Sequence, residues 1–390
     1  MMFHVFQLSF GNFDQISFFS VTTLLCVALN KMKNNNYLKK DQKKLIKTTQ
    51  KDHEKPPQKE HEHQKIVAVN YHFTRQCNFA CGFCFHTAKT SHVESLENAF
   101  RIIRELREAG AEKINFAGGE PFLPNYKNML GEMVKYAKKD CGYQSVSIIS
   151  NGHFIKQTFF ENYANYLDIL GVSCDSQYDE VNKKIGRGKG GQADQVIKVA
   201  TWCKEYGVKF KLNTVVNAYN KDEDMTSFVS RVNPMRWKVF QVLKLEGENS
   251  GEGAKRNISD FLISDNEFQK FVALHSSNEF IRSSNIMKVE DNSAMKSSYI
   301  LVDEYGRFLD SSTGGKVPTQ SMLEVGVAKA FEQLISSDGG GYDNVAFYDR
   351  DGDYNGQTEW SKNSPSSCDS CGGASSSSGG DVMDMEDMCI

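Results

Sequence analysis

Short apolar segments alternate with amphipathic segments through the middle of the chain, and this alternation restricts the fold more than any other feature. The apolar segments have the length and the turn-rich boundaries of β-strands. Between them, residues 96–109 place apolar side chains on one helical face and are followed by Gly110, a residue that favours helix termination. Repeated strand–helix units form a parallel sheet covered by helices, so we predict an α/β fold. The predicted strands are residues 66–71, 113–117, 145–150, 168–174, 208–216 and 237–245.

The number of strand–helix units limits the architecture further. Six units are fewer than a closed eight-stranded barrel contains, so we predict a partial (β/α)6 barrel with a C-terminal extension. In parallel barrels the reactive groups lie at the carboxyl ends of the strands. We divide the chain into an apolar segment with a polar linker, the barrel, an irregular region with a short helix that closes over the substrate, and a Ser/Gly-rich tail expected to be disordered; these are residues 1–64, 65–310, 311–360 and 361–390.

Three cysteines follow the first predicted strand in the pattern Cys77-x3-Cys81-x2-Cys84. Cysteine thiolates are the usual ligands of iron–sulfur clusters, and three of them within eight residues can ligate three of the four irons of a cubane. The fourth iron is then open to the amino and carboxylate groups of S-adenosylmethionine (SAM), whose carbon–sulfur bond breaks when the cluster donates an electron. The spacing therefore predicts a [4Fe–4S] cluster and SAM as cofactors.

Two other interpretations of the cysteine pattern remain open. A zinc site would need His86 as its fourth ligand, and its position two residues from Cys84 is tight for tetrahedral closure. The three cysteines would otherwise be buried structural residues. A second pair, Cys368-x-x-Cys371, lies in the tail, where we expect it to be inert.

The motif Gly118-Gly119-Glu120-Pro121 follows the second predicted strand directly. Paired glycines let a ligand approach the backbone closely, and Glu120 or nearby backbone carbonyls can accept hydrogen bonds from the SAM ammonium. The motif alone also fits an ordinary turn between a strand and a helix. Its place one strand–helix unit after the cysteine loop favours a role in binding the cofactor.

With both motifs, the chain resembles the viperins, a family of interferon-induced antiviral radical SAM enzymes. The resemblance implies a radical SAM barrel that converts CTP, or UTP in some members, to the 3′-deoxy-3′,4′-didehydro nucleotide, a chain terminator for viral RNA polymerases. In that reaction the 4′ hydrogen is removed, the 3′ hydroxyl leaves as water, and one electron completes the double bond. The resemblance runs from residue 66 to about residue 360, and its specific segments are residues 77–90, 113–122, 173–176, 185–188, 236–241 and 246–249.

A triphosphate needs several cations, and four lie on or beside three predicted strands. Two of them, Arg236 and Lys238, share a strand face because side chains alternate along a strand. Each cation would otherwise reach solvent or pair with a carboxylate. The sequence has no phosphate-binding loop of the ATPase type. The four predicted phosphate ligands are Lys113, Lys211, Arg236 and Lys238.

The remaining roles come from the resemblance alone. Lys316 and Arg350 are expected to close over the triphosphate, while Asn213 and Asn249 hold polar atoms of the nucleotide. Tyr299 is expected to donate a hydrogen atom or a proton near the substrate. On the cofactor side, Ser173 and Arg187 would hold the SAM carboxylate and Asn151 its ribose.

Residues 16–29 form an apolar stretch shorter than the roughly 18 residues that span a bilayer, and lysines follow it. Such a segment suits a membrane interface, with lysines on anionic lipids, and the alternative interpretation is a disordered or cleaved leader. By resemblance, we expect the cytosolic face of the endoplasmic reticulum and lipid droplets. Iron–sulfur assembly machinery is an expected partner by resemblance. Viperins end near the position of Trp360 with a tryptophan that resembles a binding site for that machinery, whereas this chain continues beyond Trp360. The electron donor is unknown, and the net charge of −3 gives no support for nucleic-acid binding.

We therefore predict a radical SAM dehydratase of a pyrimidine nucleoside triphosphate, with CTP favoured over UTP. Two other functions are considered beside it. The first is a radical SAM enzyme that acts on another phosphorylated molecule or on a peptide. The second is a membrane-associated interaction protein whose iron–sulfur site is structural.

Overall fold

The computed structural model describes residues 66–295, 299–312 and 314–336. Ten strands form one sheet in the order β10-β9-β8-β1-β2-β3-β4-β5-β6-β7. Strands β1–β7 are parallel to one another and β8 is parallel to β1, whereas β9 pairs antiparallel with both β8 and β10. The strands are β1 (Ala68–His72), β2 (Lys113–Ala117), β3 (Ser145–Ser150), β4 (Ile169–Ser173), β5 (Lys209–Val216), β6 (Arg236–Gln241), β7 (Met287–Glu290), β8 (Ile300–Val302), β9 (Arg307–Asp310) and β10 (Val317–Ser321).

Helices connect the parallel strands. The first helix begins after Ser95, whose side chain accepts a hydrogen bond from Asn98 N, and it buries Ile102, Ile103 and Leu106. The helices are α1 (Leu96–Glu108), α2 (Lys127–Lys135), α3 (Gln157–Tyr163), α4 (Asp179–Ile185), α5 (Gln192–Glu205), α6 (Thr226–Val232), α7 (Asp265–Ser276), α8 (Glu279–Ser284), α9 (Asn292–Met295), α10 (Met322–Val325) and α11 (Val327–Ile335).

The predicted fold class is confirmed, because the sheet is mostly parallel and does not close within the described residues. All six predicted strands form, and β2 and β3 have the predicted bounds. Strands β7–β10 lie outside the prediction. The expectation that residues 311–360 are irregular is wrong at β10, a largely exposed and polar strand that pairing with β9 stabilises. An apolar pattern cannot reveal such an edge strand, because its stabilising contacts come from strand β9 and from Gln333 of α11.

The strand register gives the sheet two chemically different faces. One face carries apolar side chains such as Ile114, Leu170 and Trp237, which are fully buried in the same core as residues of the helices. The opposite face, here called the inner face, carries the alternate residues of each strand. Neighbours on it, matched in register, include Asn70 and Asn115 on β1 and β2, Gly171 and Lys211 on β4 and β5, and Lys238 and Lys288 on β6 and β7.

Several predicted segments lie outside the described residues. These are the N-terminal region 1–64, the part of the predicted closing region after residue 336, and the tail with Cys368 and Cys371. Among the helices of the described ranges, none has the length and apolar character needed to cross a bilayer.

Candidate active site

The cysteine loop follows β1 at the carboxyl edge of the sheet and lies against the end of α4. Ala80 N donates to Gly186 O at 3.0 Å, and Gly82 N donates to Ile185 O at 3.1 Å. A β-carbon at position 82 would lie 2.1 Å from the Phe261 ring, so only glycine allows this approach. The backbone of the loop is therefore held on both sides of Cys81.

The three thiols of this loop lie close enough to influence one another. Burial raises the pKa of Cys77 to about 11 and that of Cys81 to about 12, and it also raises the pKa of Cys84. Charge on a neighbouring thiol of the trio contributes to the increase at Cys77 and Cys81, while the Arg187 guanidinium lowers the pKa of all three. Thiols in this state are protonated, and binding of iron would displace their protons.

The donor set fits a cubane cluster better than a single zinc ion. The ring of His86, the proposed fourth zinc ligand, has Nδ1 3.1 Å from Lys316 Nζ and Nε2 4.0 Å from Glu304 Oε2. Both ring nitrogens thus face other side chains. Three thiols on one loop match a cluster with one open iron.

The two glycines of the Gly-Gly-Glu-Pro turn contact the cysteine loop itself. Gly119 N donates to Thr74 O and Glu120 N donates to Gln76 O, both at 2.7 Å. A β-carbon would lie 2.1 Å from Gln76 O at position 119 and 2.4 Å from Thr74 O at position 118. Backbone atoms of the segment before Cys77 thus lie where a β-carbon would be at both positions, so this turn requires glycine.

The Glu120 carboxylate is fully buried and accepts hydrogen bonds from three other residues of the protein. It accepts from Phe122 N at 2.9 Å, from Ser150 Oγ at 2.7 Å and from Asn151 N at 2.7 Å. Burial raises its pKa to about 7. Glu120 thus joins the turn after β2 to the end of β3.

The three other residues predicted to hold SAM lie at the carboxyl edge. Asn151 Nδ2 donates to Asn78 Oδ1 at 2.8 Å and lies 3.9 Å from Cys77 Sγ. Arg187 is buried, forms an ion pair with Asp175 and lies 5.8 Å from the centre of the Phe83 ring. Ser173 ends β4 beside Asn213 of β5. The structure thus brings the predicted SAM ligands to the same edge of the sheet as the cysteine loop.

Asn249 has a different role from the predicted one. Its side chain is fully buried, and Nδ2 donates to Phe83 O at 2.9 Å and to Leu243 O at 3.0 Å. Its Oδ1 accepts from Leu245 N at 2.8 Å. Because these bonds occupy its polar atoms, Asn249 joins the cysteine loop to the segment after β6, and we assign it no contact with the nucleotide.

The predicted phosphate ligands share the inner face. Lys211 is in register with Arg236, and Asn213 with Lys238, on the neighbouring strands β5 and β6. Lys113 lies on the same face at the start of β2. The four cationic residues are only 2–7% exposed. Four cations on one face favour an anionic ligand there, because a triphosphate offers several charged oxygens that lysine and arginine can bind.

One carboxylate among these cations lies outside the sequence prediction. Glu290 Oε1 lies 2.7 Å from Lys238 Nζ, and its other oxygen accepts a short hydrogen bond from the Tyr299 hydroxyl. Lys238 Nζ is also 3.4 Å from that hydroxyl. The alternation of residues 287–290 is the sequence signal that identifies Glu290 as an inner-face residue.

Lys316 lies against the cysteine loop. Its ammonium donates to Phe85 O at 2.8 Å and lies 4.7 Å from the centre of the Phe85 ring. Burial of the ammonium lowers its pKa to about 8, although the side chain as a whole is only half-buried. The other predicted closing residue, Arg350, lies outside the described residues.

The Radical SAM superfamily model matches residues 71–232. A Danio rerio protein named S-adenosylmethionine-dependent nucleotide dehydratase RSAD2 is 49% identical over 297 residues, which are 76% of this chain and 78% of that protein. A Flammeovirga pacifica protein named S-adenosylmethionine-dependent nucleotide dehydratase is 35% identical over 301 residues, which cover 74% of this chain and 96% of that protein.

Two solved structures show the same fold at low identity. The native anSMEcpe structure with bound AdoMet has a TM-score of 0.53 at 14% identity, and the match covers 72% of this chain and 84% of that one. The Streptococcus suis SuiB structure bound to S-adenosylmethionine has a TM-score of 0.51 at 16% identity, and the match covers 73% of this chain and 67% of that one.

Proposed function

Because the chain belongs to the family of S-adenosylmethionine-dependent nucleotide dehydratases, which are radical SAM enzymes, we propose that its substrate is a pyrimidine nucleoside triphosphate, with CTP preferred over UTP. The [4Fe–4S] cluster and SAM are its cofactors. Membership of this family also disfavours the peptide-modifying and purely structural functions. The proposed product is the 3′-deoxy-3′,4′-didehydro nucleotide, an antiviral chain terminator.

The observation that carries the proposal is the cationic inner face. Lys113, Lys211, Arg236 and Lys238 are all buried on one face of the sheet. A triphosphate offers several charged oxygens, and charge-assisted hydrogen bonds to such oxygens are stronger than neutral ones. Lysine and arginine from three strands can therefore bind different phosphates of one ligand at the same time.

The reaction balances with two electrons and one proton. When bound, the cluster and SAM supply the hydrogen-abstracting group, which consumes one electron and removes the 4′ hydrogen. The 3′ hydroxyl leaves with a proton as water, and a second electron completes the 3′,4′ double bond. We assign Asn151, Ser173 and Arg187 to SAM, and the inner-face cations and Asn213 to the nucleotide. Tyr299, whose hydroxyl lies near Lys238, is assigned as the hydrogen or proton donor.

An activity assay tests this proposal. The protein is reconstituted with iron and sulfide without oxygen and then mixed with reductant, SAM and each nucleoside triphosphate in turn. We expect 5′-deoxyadenosine together with a product one water lighter than CTP, less product from UTP, and none from purine nucleotides. A fully loaded enzyme that forms no 5′-deoxyadenosine with any nucleotide would contradict the proposal.

A substitution on the inner face adds a binding test. Lys238→Ala should weaken CTP binding about 10- to 100-fold, since a hydrogen bond to a charged group contributes ~1.5–3 kcal/mol. The visible absorbance of the cluster should be unchanged, because Lys238 lies outside the cysteine loop. Lys139→Ala, which removes an exposed lysine, is the matched control and should bind CTP normally.

We propose in addition that residues 1–64 hold the enzyme on the cytosolic face of the endoplasmic reticulum and on lipid droplets. The apolar stretch followed by lysines supports this proposal, since lysines interact with anionic lipid head groups. Residues 1–64 fused to a fluorescent protein should colocalise with both membranes in cells. Diffuse fluorescence indistinguishable from the unfused reporter would argue against it. Iron–sulfur assembly proteins remain proposed partners.

A further inference from the structure

A fully buried carboxylate lies among the cations of the inner face. Glu290 ends β7 and is in register with Phe240 of β6, which places it on the same face as Lys238. A buried carboxylate at a site for an anionic ligand opposes binding of that ligand through charge repulsion. Its presence at this position therefore needs a physical explanation.

The two oxygens of Glu290 have different partners. Oε1 forms a 2.7 Å ion pair with Lys238 Nζ, and Oε2 accepts the hydrogen bond from the Tyr299 hydroxyl. Lys238 is a proposed phosphate ligand, and Tyr299 is the proposed donor at the reacting ribose. Glu290 thus contacts both the residue that binds the substrate and the residue that takes part in its conversion.

We propose that Glu290 is a positioning residue. It holds the Lys238 ammonium until the triphosphate takes the place of the Glu290 carboxylate as the partner of Lys238. The placement of Tyr299, which Glu290 also holds, then depends on nucleotide binding. This inference rests on the proposed function. A lysine ammonium at this distance from a carboxylate is largely neutralised, so an incoming phosphate must compete for it. Once the phosphate engages Lys238, Glu290 keeps only the Tyr299 hydroxyl as its partner in this group of three.

The neutral variant Glu290→Gln separates charge from shape. Its amide has one acceptor oxygen instead of two and no negative charge, so it cannot hold Lys238 and Tyr299 together. We expect Glu290→Gln to bind CTP and inorganic tripolyphosphate about tenfold more tightly, because the competing charge is gone. Binding of cytidine should be unchanged. These affinities are measured by calorimetry on the cluster-loaded enzyme without reductant.

Turnover supplies a readout that a merely structural role would not change. With Tyr299 no longer placed by Glu290, reduced Glu290→Gln should form more 5′-deoxyadenosine per dehydrated nucleotide than the wild-type enzyme does. Tyr299→Phe should show the same loss of coupling, but its CTP affinity should stay within about twofold of wild type, because the Lys238–Glu290 pair remains.

Two controls complete the experiment. Glu290→Asp keeps the charge and should keep wild-type CTP affinity within about twofold, because the competing anion is retained. Glu105→Gln removes a carboxylate from an exposed pair with Arg101 on α1 and should change neither affinity nor coupling. The cluster absorbance and thermal unfolding of each variant are recorded to confirm that it is folded and loaded.

The inference is overturned if folded Glu290→Gln binds CTP and tripolyphosphate no more tightly than the wild-type enzyme. It is equally overturned if Glu290→Gln does not fold and Glu290→Asp, which retains the charge, binds CTP about tenfold more tightly. Failure of the proposed function has a different signature, since the wild-type enzyme would then convert no nucleotide. Binding of tripolyphosphate requires no turnover and tests the inference separately.

Discussion

Gly119→Ala is expected to deprive the protein of most of its iron–sulfur cluster. The added β-carbon would lie 2.1 Å from Gln76 O and 2.6 Å from Arg75 O, both backbone atoms of the segment that leads into the cysteine loop. Because a backbone carbonyl cannot rotate away as a side chain can, the loop itself must shift. Overpacking of this kind costs about 1–3 kcal/mol or more, and a shift of the loop also separates the thiols from their positions.

Iron and sulfide content after anaerobic reconstitution, together with visible absorbance, measures this effect. Circular dichroism shows whether the remainder of the protein is folded. Gly315→Ala is the matched control, because its β-carbon would meet only Glu246 O at 3.9 Å and its backbone has no positive φ. Full cluster content and an unchanged melting temperature for Gly119→Ala would show that the close approach has no consequence.

Arg75→Ala is expected to lower the free energy of unfolding by about 3–5 kcal/mol, because it leaves two buried carboxylates without their common partner. Arg75 Nη1 lies 2.9 Å from Glu248 Oε1, and Nε lies 2.9 Å from Glu304 Oε1. Nη1 also donates to Thr87 O at 3.2 Å, and Thr87 N and Oγ1 donate in turn to Glu248. Arg75 therefore joins the cysteine loop to two distant segments.

Urea unfolding of the cluster-free protein measures the loss. Arg75→Lys should give an intermediate value, since lysine keeps the charge but lacks the planar fork that binds two partners. Arg101→Ala removes an arginine from an exposed ion pair on α1 and should lower the free energy of unfolding by less than about 1 kcal/mol. Equal effects of Arg75→Ala and Arg101→Ala would refute the assignment of a buried network.

The parts of this protein that depend on local order could be predicted from its amino-acid pattern. Strand and helix periodicity predicted the six central strands and the fold class, because alternation along a strand is a property of neighbouring residues. The spacing of Cys77, Cys81 and Cys84 likewise predicted one loop that presents three thiols. Alternation also predicted a common strand face for Arg236 and Lys238, which the structure confirms.

Contacts between residues far apart in the chain are visible only in the folded protein. Arg75 is 229 residues from Glu304, and Asn249 is 166 residues from Phe83, yet each pair is in hydrogen-bond contact. The same holds for Glu290 and Lys238, 52 residues apart, and for Gly119 beneath the backbone of Gln76. Periodicity describes the faces of one element, whereas contacts like these depend on how distant elements pack, and spacing along the chain carries no record of that packing.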